Sequence, residues 1–132
     1  MKNNENIVRK ISDNVEIKEI YYQERDGFLN EFMYSLSVDS LEENYVIVHQ
    51  NNKMSGSKVL KEYQVKAKLR KIMNITKDYE DKYINDTIID GKEYRIYIIY
   101  NNGKKRKIIG KNRYPEKFSR FLEIIKEDID EK

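Results

Sequence analysis

The stretch whose reading decides the fold is Tyr94-Arg95-Ile96-Tyr97-Ile98-Ile99-Tyr100-Asn101-Asn102-Gly103-Lys104-Lys105-Arg106-Lys107-Ile108-Ile109-Gly110. Its first seven residues are aromatic or β-branched except for Arg95, a composition that suits a pleated, half-buried strand. Asn102-Gly103 is the strongest short hairpin signal, because both central residues of a type I′ turn need positive φ. A two-residue turn there sets Tyr100 opposite Lys105, Ile99 opposite Arg106 and Tyr97 opposite Ile108. The return strand closes at Gly110. Tyr114-Pro115 then starts a helix, with Pro at its tolerated first position. Phe118, Phe121, Leu122, Ile125 and Ile129 follow at helical spacing and form one apolar stripe.

Working back from the hairpin, residues 15–25 alternate, with Ile17, Glu19 and Tyr21 on one face and Lys18, Ile20 and Tyr22 on the other. In a strand Tyr21 and Tyr22 must point to opposite faces, so one of them is exposed. Asp26-Gly27 marks a turn. Residues 28–38 resume the alternation, Phe28, Phe32, Tyr34, Leu36 and Val38 against Glu31, Ser35 and Ser37, which describes a strand with one buried face. Residues 45–49 are a shorter, more apolar strand ending in a turn at Gln50-Asn51-Asn52. After Ser55-Gly56-Ser57 the period changes to that of a helix, with Val65, Leu69, Ile72 and Met73 as its stripe and Ser55 or Ser57 as N-cap. Its polar face carries Lys58, Lys61, Lys66, Lys68, Arg70 and Lys71. Residues 77–90 read as an exposed connector anchored by Tyr83, Ile84 and Ile88.

The order β-β-β-α-β-β-α predicts an α+β fold, an antiparallel sheet of about five strands with two main helices on one face. The length of 132 residues suits a single domain over 1–132, with 1–12 a flexible arm or short helix docked by Ile7, Val8 and Ile11. With no cysteine, neither disulfides nor a thiolate metal site are available. The Asn- and Lys-rich start lacks the apolar core of a signal peptide, and no apolar run approaches a membrane span. The expectation is therefore a soluble cytoplasmic protein that does not engage a membrane.

The net charge of +3 is mild, but it is unevenly placed. Residues 58–77 hold seven basic side chains against one acidic, and 104–120 hold eight against one; acidic segments separate them. If both basic segments share a face, the surface is dipolar and steers an anionic partner. The alternative is that opposite blocks neutralise each other across the fold.

The run Asp90-Gly91, Tyr94, Ile96, Ile98, Tyr100, Asn102-Gly103-Lys104, Gly110, Asn112, Tyr114-Pro115, Phe118 and Leu122 resembles a group of small uncharacterised bacterial proteins. These share an aspartate-glycine, an aromatic strand, a glycine turn and a glycine-x-asparagine-x-tyrosine-proline run before an amphipathic helix. The resemblance covers about a third of the chain closely, and the rest only in element order. This chain has Tyr94 where the pattern leads one to expect tryptophan. The resemblance implies a fold and no particular activity. Each of its residues also has a structural role open to it: turns at Gly91 and Gly103, a helix start at Pro115, and a backbone bond from Asn112 within its own loop.

Catalytic signals are poor, and the expectation is a protein that is not an enzyme and needs no cofactor. His49 is the sole histidine, at the end of an apolar strand, which leaves a zinc site without ligands. Asp78, Glu80 and Asp81, with Asp86 and Asp90, form acidic clusters in a loop, where a solvated charge run is the common case. The basic hairpin is the better lead. Arg95, Tyr97, Tyr100, Lys105, Arg106, Lys107 and Arg113 interleave cations with aromatic rings, an arrangement that grips phosphates while stacking a base. Lysine-rich strands also protect sheet edges from pairing, which needs no ligand.

Eleven tyrosines against four phenylalanines supply contact surface of the kind protein interfaces favour. Two functions follow as expectations. The first is a non-catalytic protein acting on a macromolecular partner, most simply a protein, in the manner of phage or mobile-element accessory proteins that inhibit a host defence factor. The second is a nucleotide or nucleic-acid binding module built on the basic 95–113 hairpin.

Overall fold

The computed structural model describes residues 15–27, 29–87, 91–127 and 129. Seven strands form one sheet: β1 (Ile17–Asp26), β2 (Asn30–Ser37), β3 (Glu42–His49), β4 (Asn52–Val59), β5 (Lys82–Ile84), β6 (Lys92–Tyr100) and β7 (Lys105–Lys111). Two helices, α1 (Glu62–Thr76) and α2 (Phe118–Lys126), pack on one face of it. Spatial order is β4-β3-β2-β1-β6-β7-β5, antiparallel throughout except for β5 beside β7. The fold is α+β as expected, but the sheet has seven strands instead of about five, and its order is mixed. The arm or helix expected at 1–12, together with Phe28, Ile88 and Asp90, lies outside the described residues.

Both additional strands lie at edges. The segment expected to hold the serine N-cap and the start of the first helix, Lys58 included, is β4, whose side chains are nearly all exposed. It is joined to β3 by Gln50 and Asn51, both at positive φ (49° and 71°), as a type I′ turn requires. Helix α1 consequently starts later, after Lys61, whose backbone N–H donates to Gln64 Oε1 at 2.9 Å. Within the supposed connector, β5 is only three residues long and is held by Tyr83, which is buried. A very short edge strand and charged edge side chains such as Lys53 both discourage pairing with other chains.

The helix-covered face carries Ile20 and Tyr22 of β1, Phe32, Tyr34 and Leu36 of β2, and Tyr94, Ile96 and Ile98 of β6, all buried. Val65, Leu69 and Ile72 of α1 close over it, with Phe118, Phe121, Ile124 and Ile125 of α2. The rings of Tyr22 and Phe121 meet edge to face at 5.5 Å, and Phe118 lies 4.6 Å from Tyr94. Helix α2 begins three residues beyond Pro115: Phe118 N–H donates to Pro115 O (3.3 Å) in a turn, and Lys117 enters the helix from φ 63°.

One residue assigned to the polar face of α1 is inside. Lys68 is 3% exposed; its ammonium donates to the Glu43 carboxylate and to Ile125 O (3.4 Å), and it lies 5.2 Å from the Tyr34 ring centre. Tyr34 also donates its hydroxyl to Glu43, itself 1% exposed. This cluster ties β2 and β3 to both helices.

Burial, chiefly, raises the Tyr22 phenol above its ordinary value, and the Glu24 carboxylate that its hydroxyl contacts at 2.8 Å adds to the effect. Burial raises Tyr79 and Tyr94 as well. A raised phenol keeps its full contribution below the unfolded value of about 10 and loses it above that pH, because the unfolded chain then releases a proton that the folded chain retains. Urea unfolding should show stability level up to about pH 10 and then falling by about 1.4 kcal/mol per pH unit for Tyr22 alone. Tyr22→Phe should flatten that slope; an unchanged slope in the variant rules Tyr22 out as its source.

Candidate functional site

The decisive local geometry is the β6–β7 register. Tyr100 N–H donates to Lys104 O (2.9 Å) and Gly103 N–H to Tyr100 O (3.0 Å), leaving a three-residue loop of Asn101, Asn102 and Gly103. Of the Asn102-Gly103 pair only Gly103 has positive φ, at 87°, so the loop is not the expected type I′ turn but the kind closed by a left-handed glycine. The pairing is Tyr97 with Lys107, Ile98 with Arg106 and Ile99 with Lys105, one residue away from the expected register. A one-residue slip moves every side chain of the return strand to the opposite face.

The seven candidate residues therefore divide. Arg95, Tyr97, Lys105 and Lys107 share the face of the sheet turned away from the helices. Arg106 lies on the other face, where its guanidinium donates to Thr76 O (2.7 Å) and Tyr79 O and pairs with Asp81 at 3.5 Å, a structural clamp on the end of α1. Tyr100 packs against the core. Arg113 sits beyond β7, its guanidinium 5.8 Å from the Tyr83 ring centre. It borders a second cavity of about 430 Å³ where Asp78, Glu80 and Glu116 meet Arg113 and Lys117.

On the sheet face turned away from the helices, uncovered among the described residues, Tyr21 pairs across the ladder with Tyr97 on one side and Ser35 on the other. Tyr22 is 1% exposed and Tyr21 42%, the division that adjacent strand positions require. A groove of about 420 Å³ lies over this centre, lined by Tyr21, Gln23, Met33, Ser35, Asn44, Val46 and Tyr97. Burial and the Glu19 carboxylate raise the Tyr21 phenol above its ordinary value, so it stays a neutral hydroxyl. Beside the groove the Lys107 ammonium stands 5.7 Å from the Tyr97 ring centre. Arg25 and Lys111 on this face are paired, with Glu31 and Glu93 respectively. Among the described residues Arg95, Lys105 and Lys107 make no ion pair.

Gln23, Met33, Asn44 and Val46 were absent from the candidates. The alternation that buries Tyr22 and Tyr34 and half-buries Tyr45 places these four together on the opposite face, but whether a helix covers that face is not written in any single strand.

Asn112, at φ 57°, accepts from Lys92 N–H (3.1 Å) through its side chain, so it bridges to β6 and not only within its own loop. Tyr94 donates its hydroxyl to Arg113 O (2.7 Å) and stacks on Tyr114 at 5.4 Å. The glycine-x-asparagine-x-tyrosine-proline run is thus a structural corner. His49 is exposed, and no cluster of three metal-ligating side chains occurs among the described residues. No described helix is long and apolar enough to cross a membrane.

Among the described residues, fold and face together define an α+β architecture with one sheet surface covered by helices and one that no described element covers. No family model matches the chain, and a search of curated proteins returns no match.

Proposed function

We propose that this is a non-catalytic binding protein that holds a macromolecular partner on the uncovered face of its sheet. The observation that carries the reading is the groove at Tyr21 and Tyr97 with three cations on the same face that make no ion pair among the described residues. Rigid aromatic rings with a polar tip supply contact area at low entropic cost, which is why they anchor interfaces. The composition, of the kind found in phage and mobile-element accessory proteins, makes a factor of a bacterial host the partner to test first.

The test is a tagged pull-down from bacterial lysate, with and without nuclease, read by mass spectrometry. The variant Tyr21→Arg/Tyr97→Arg should lose the captured partner, while Lys71→Glu/Arg120→Glu, on the exposed sides of the helices, should keep it. Loss by the helix variant with retention by the face variant would place the contact surface on the helices and end this reading.

A further inference from the structure

We infer that the uncovered face binds single-stranded nucleic acid, with phosphates against Arg95, Lys105 and Lys107 and bases against the Tyr21–Tyr97 groove. This rests on the reading of that face as the contact surface.

Edge protection accounts for part of the charge but not for all of it. β5 pairs only with Ile109, Gly110 and Lys111, so Lys105 and Lys107 border a stretch of β7 that no described strand covers. Arg95 has no such explanation. It lies on β6, paired on both sides, opposite Gln23 of β1 and Ile109 of β7. Among the described residues this exposed arginine in the interior of the sheet makes no ion pair, Glu93 two positions away being paired to Lys111, which leaves it available to an anion.

Spacing and shape narrow the class of anion. Lys105 and Lys107 are two positions apart on one strand, about 7 Å, comparable to the step between phosphates of an extended single strand. Tyr97 pairs directly with Lys107, so a ring and a cation stand side by side, the pairing that holds a base next to its phosphate. The groove is lined mainly by apolar surface, which suits the faces of bases rather than a reading of their edges. A duplex fits less well. Its major groove admits a helix or a two-stranded ribbon, whereas a broad sheet face presents nothing to insert. A protein partner fits Lys105 and Lys107 less well, because lysine is depleted at the cores of protein interfaces.

The experiment is fluorescence anisotropy on the intact chain, using labelled oligothymidylate and oligouridylate about 12 nucleotides long and a duplex of the same length. Single strands of either sugar should bind better than the duplex. Affinity should fall with salt at a log–log slope of about −2 for three phosphates neutralised on a single strand. Lys105→Glu/Lys107→Glu should weaken binding at least about tenfold and flatten the slope. Tyr97→Ala should cost about five- to a hundredfold at unchanged slope, with Tyr97→Phe restoring affinity. Absence of single-strand binding, preference for the duplex, or indifference to Arg95→Ala and Tyr97→Ala each overturns the inference. If no oligonucleotide binds but Tyr21→Arg/Tyr97→Arg still abolishes capture of a nuclease-resistant protein partner, the contact face stands and only the nucleic acid falls. If Tyr97→Ala and Lys105→Glu/Lys107→Glu leave oligonucleotide binding unchanged and Tyr21→Arg/Tyr97→Arg leaves protein capture unchanged, both readings fall.

Discussion

Lys68→Ala is expected to cost about 3–5 kcal/mol of folding stability, a large share of the roughly 5–15 kcal/mol a domain of this kind possesses. The physical reason is the charge left behind. Glu43 is 1% exposed, and in the native chain the Lys68 ammonium and the Tyr34 hydroxyl both serve its carboxylate. Removing the ammonium leaves an anion with one neutral donor in a site closed by β2, β3 and both helices. The effect should appear in urea unfolding as a lower midpoint at unchanged slope, and in thermal unfolding as a drop of roughly 10–20 °C. The companion variant Tyr34→Phe/Glu43→Leu/Lys68→Met removes the three polar side chains described in this cluster while keeping volume, and should be near neutral or more stable by about 1–4 kcal/mol. A cost below about 1 kcal/mol for Lys68→Ala would show that water reaches Glu43 and that the cluster is not what ties helices to sheet.

Gly110→Ala ranks second, at about 3 kcal/mol. A Cβ built there would lie 1.8 Å from Tyr94 Cζ, so the ring must leave. It cannot leave freely, because it stacks on Tyr114, packs at 4.6 Å on Phe118 and donates to Arg113 O. One methyl group thus displaces the ring that joins β6, β7 and the approach to α2. Tyr94→Leu should itself be destabilising. Combined with Gly110→Ala, though, it should cost less than the sum of the two by more than about 1 kcal/mol, since the clash is then already gone. Additive costs in that double-mutant cycle would mean that something other than the Tyr94 ring makes Gly110 necessary.

The same corner shows how legible the chain is. Gly110, Asn112, Tyr114 and Pro115 stand out by spacing alone, and their surroundings account for them without a ligand: a ring over a glycine, a side-chain bond to Lys92 and a stack. Lys68 was not legible in this way. Lysine at a helical position next to Lys66 and Arg70 reads as solvated, and its burial becomes tolerable through partners distant in sequence such as Glu43, twenty-five residues earlier. The strand β4 was illegible for a different cause. An edge strand with almost no buried side chain carries no apolar alternation, and its existence depends on β3 offering a free row of backbone groups.

At the site, the residue types were visible and their assembly was not. Glycine after asparagine specifies a reversal, yet a two-residue and a three-residue loop both accept it, and the choice between them decides which face every β7 side chain takes. The core settled it: Ile96, Ile98 and Ile108 are all fully buried on one face, which sends Tyr97, Lys105 and Lys107 together to the other and turns Arg106 inward to Thr76 and Tyr79.

By itself the sequence determined the α+β class, the central strands, the two amphipathic helices and the opposed placement of Tyr21 and Tyr22, because periodicity and turn chemistry are local properties. Tertiary structure alone decided the hairpin register, the edge strands, the burial of Lys68 and which sheet face the described helices leave uncovered, because each of these is set by what packs against a residue from a distant part of the chain.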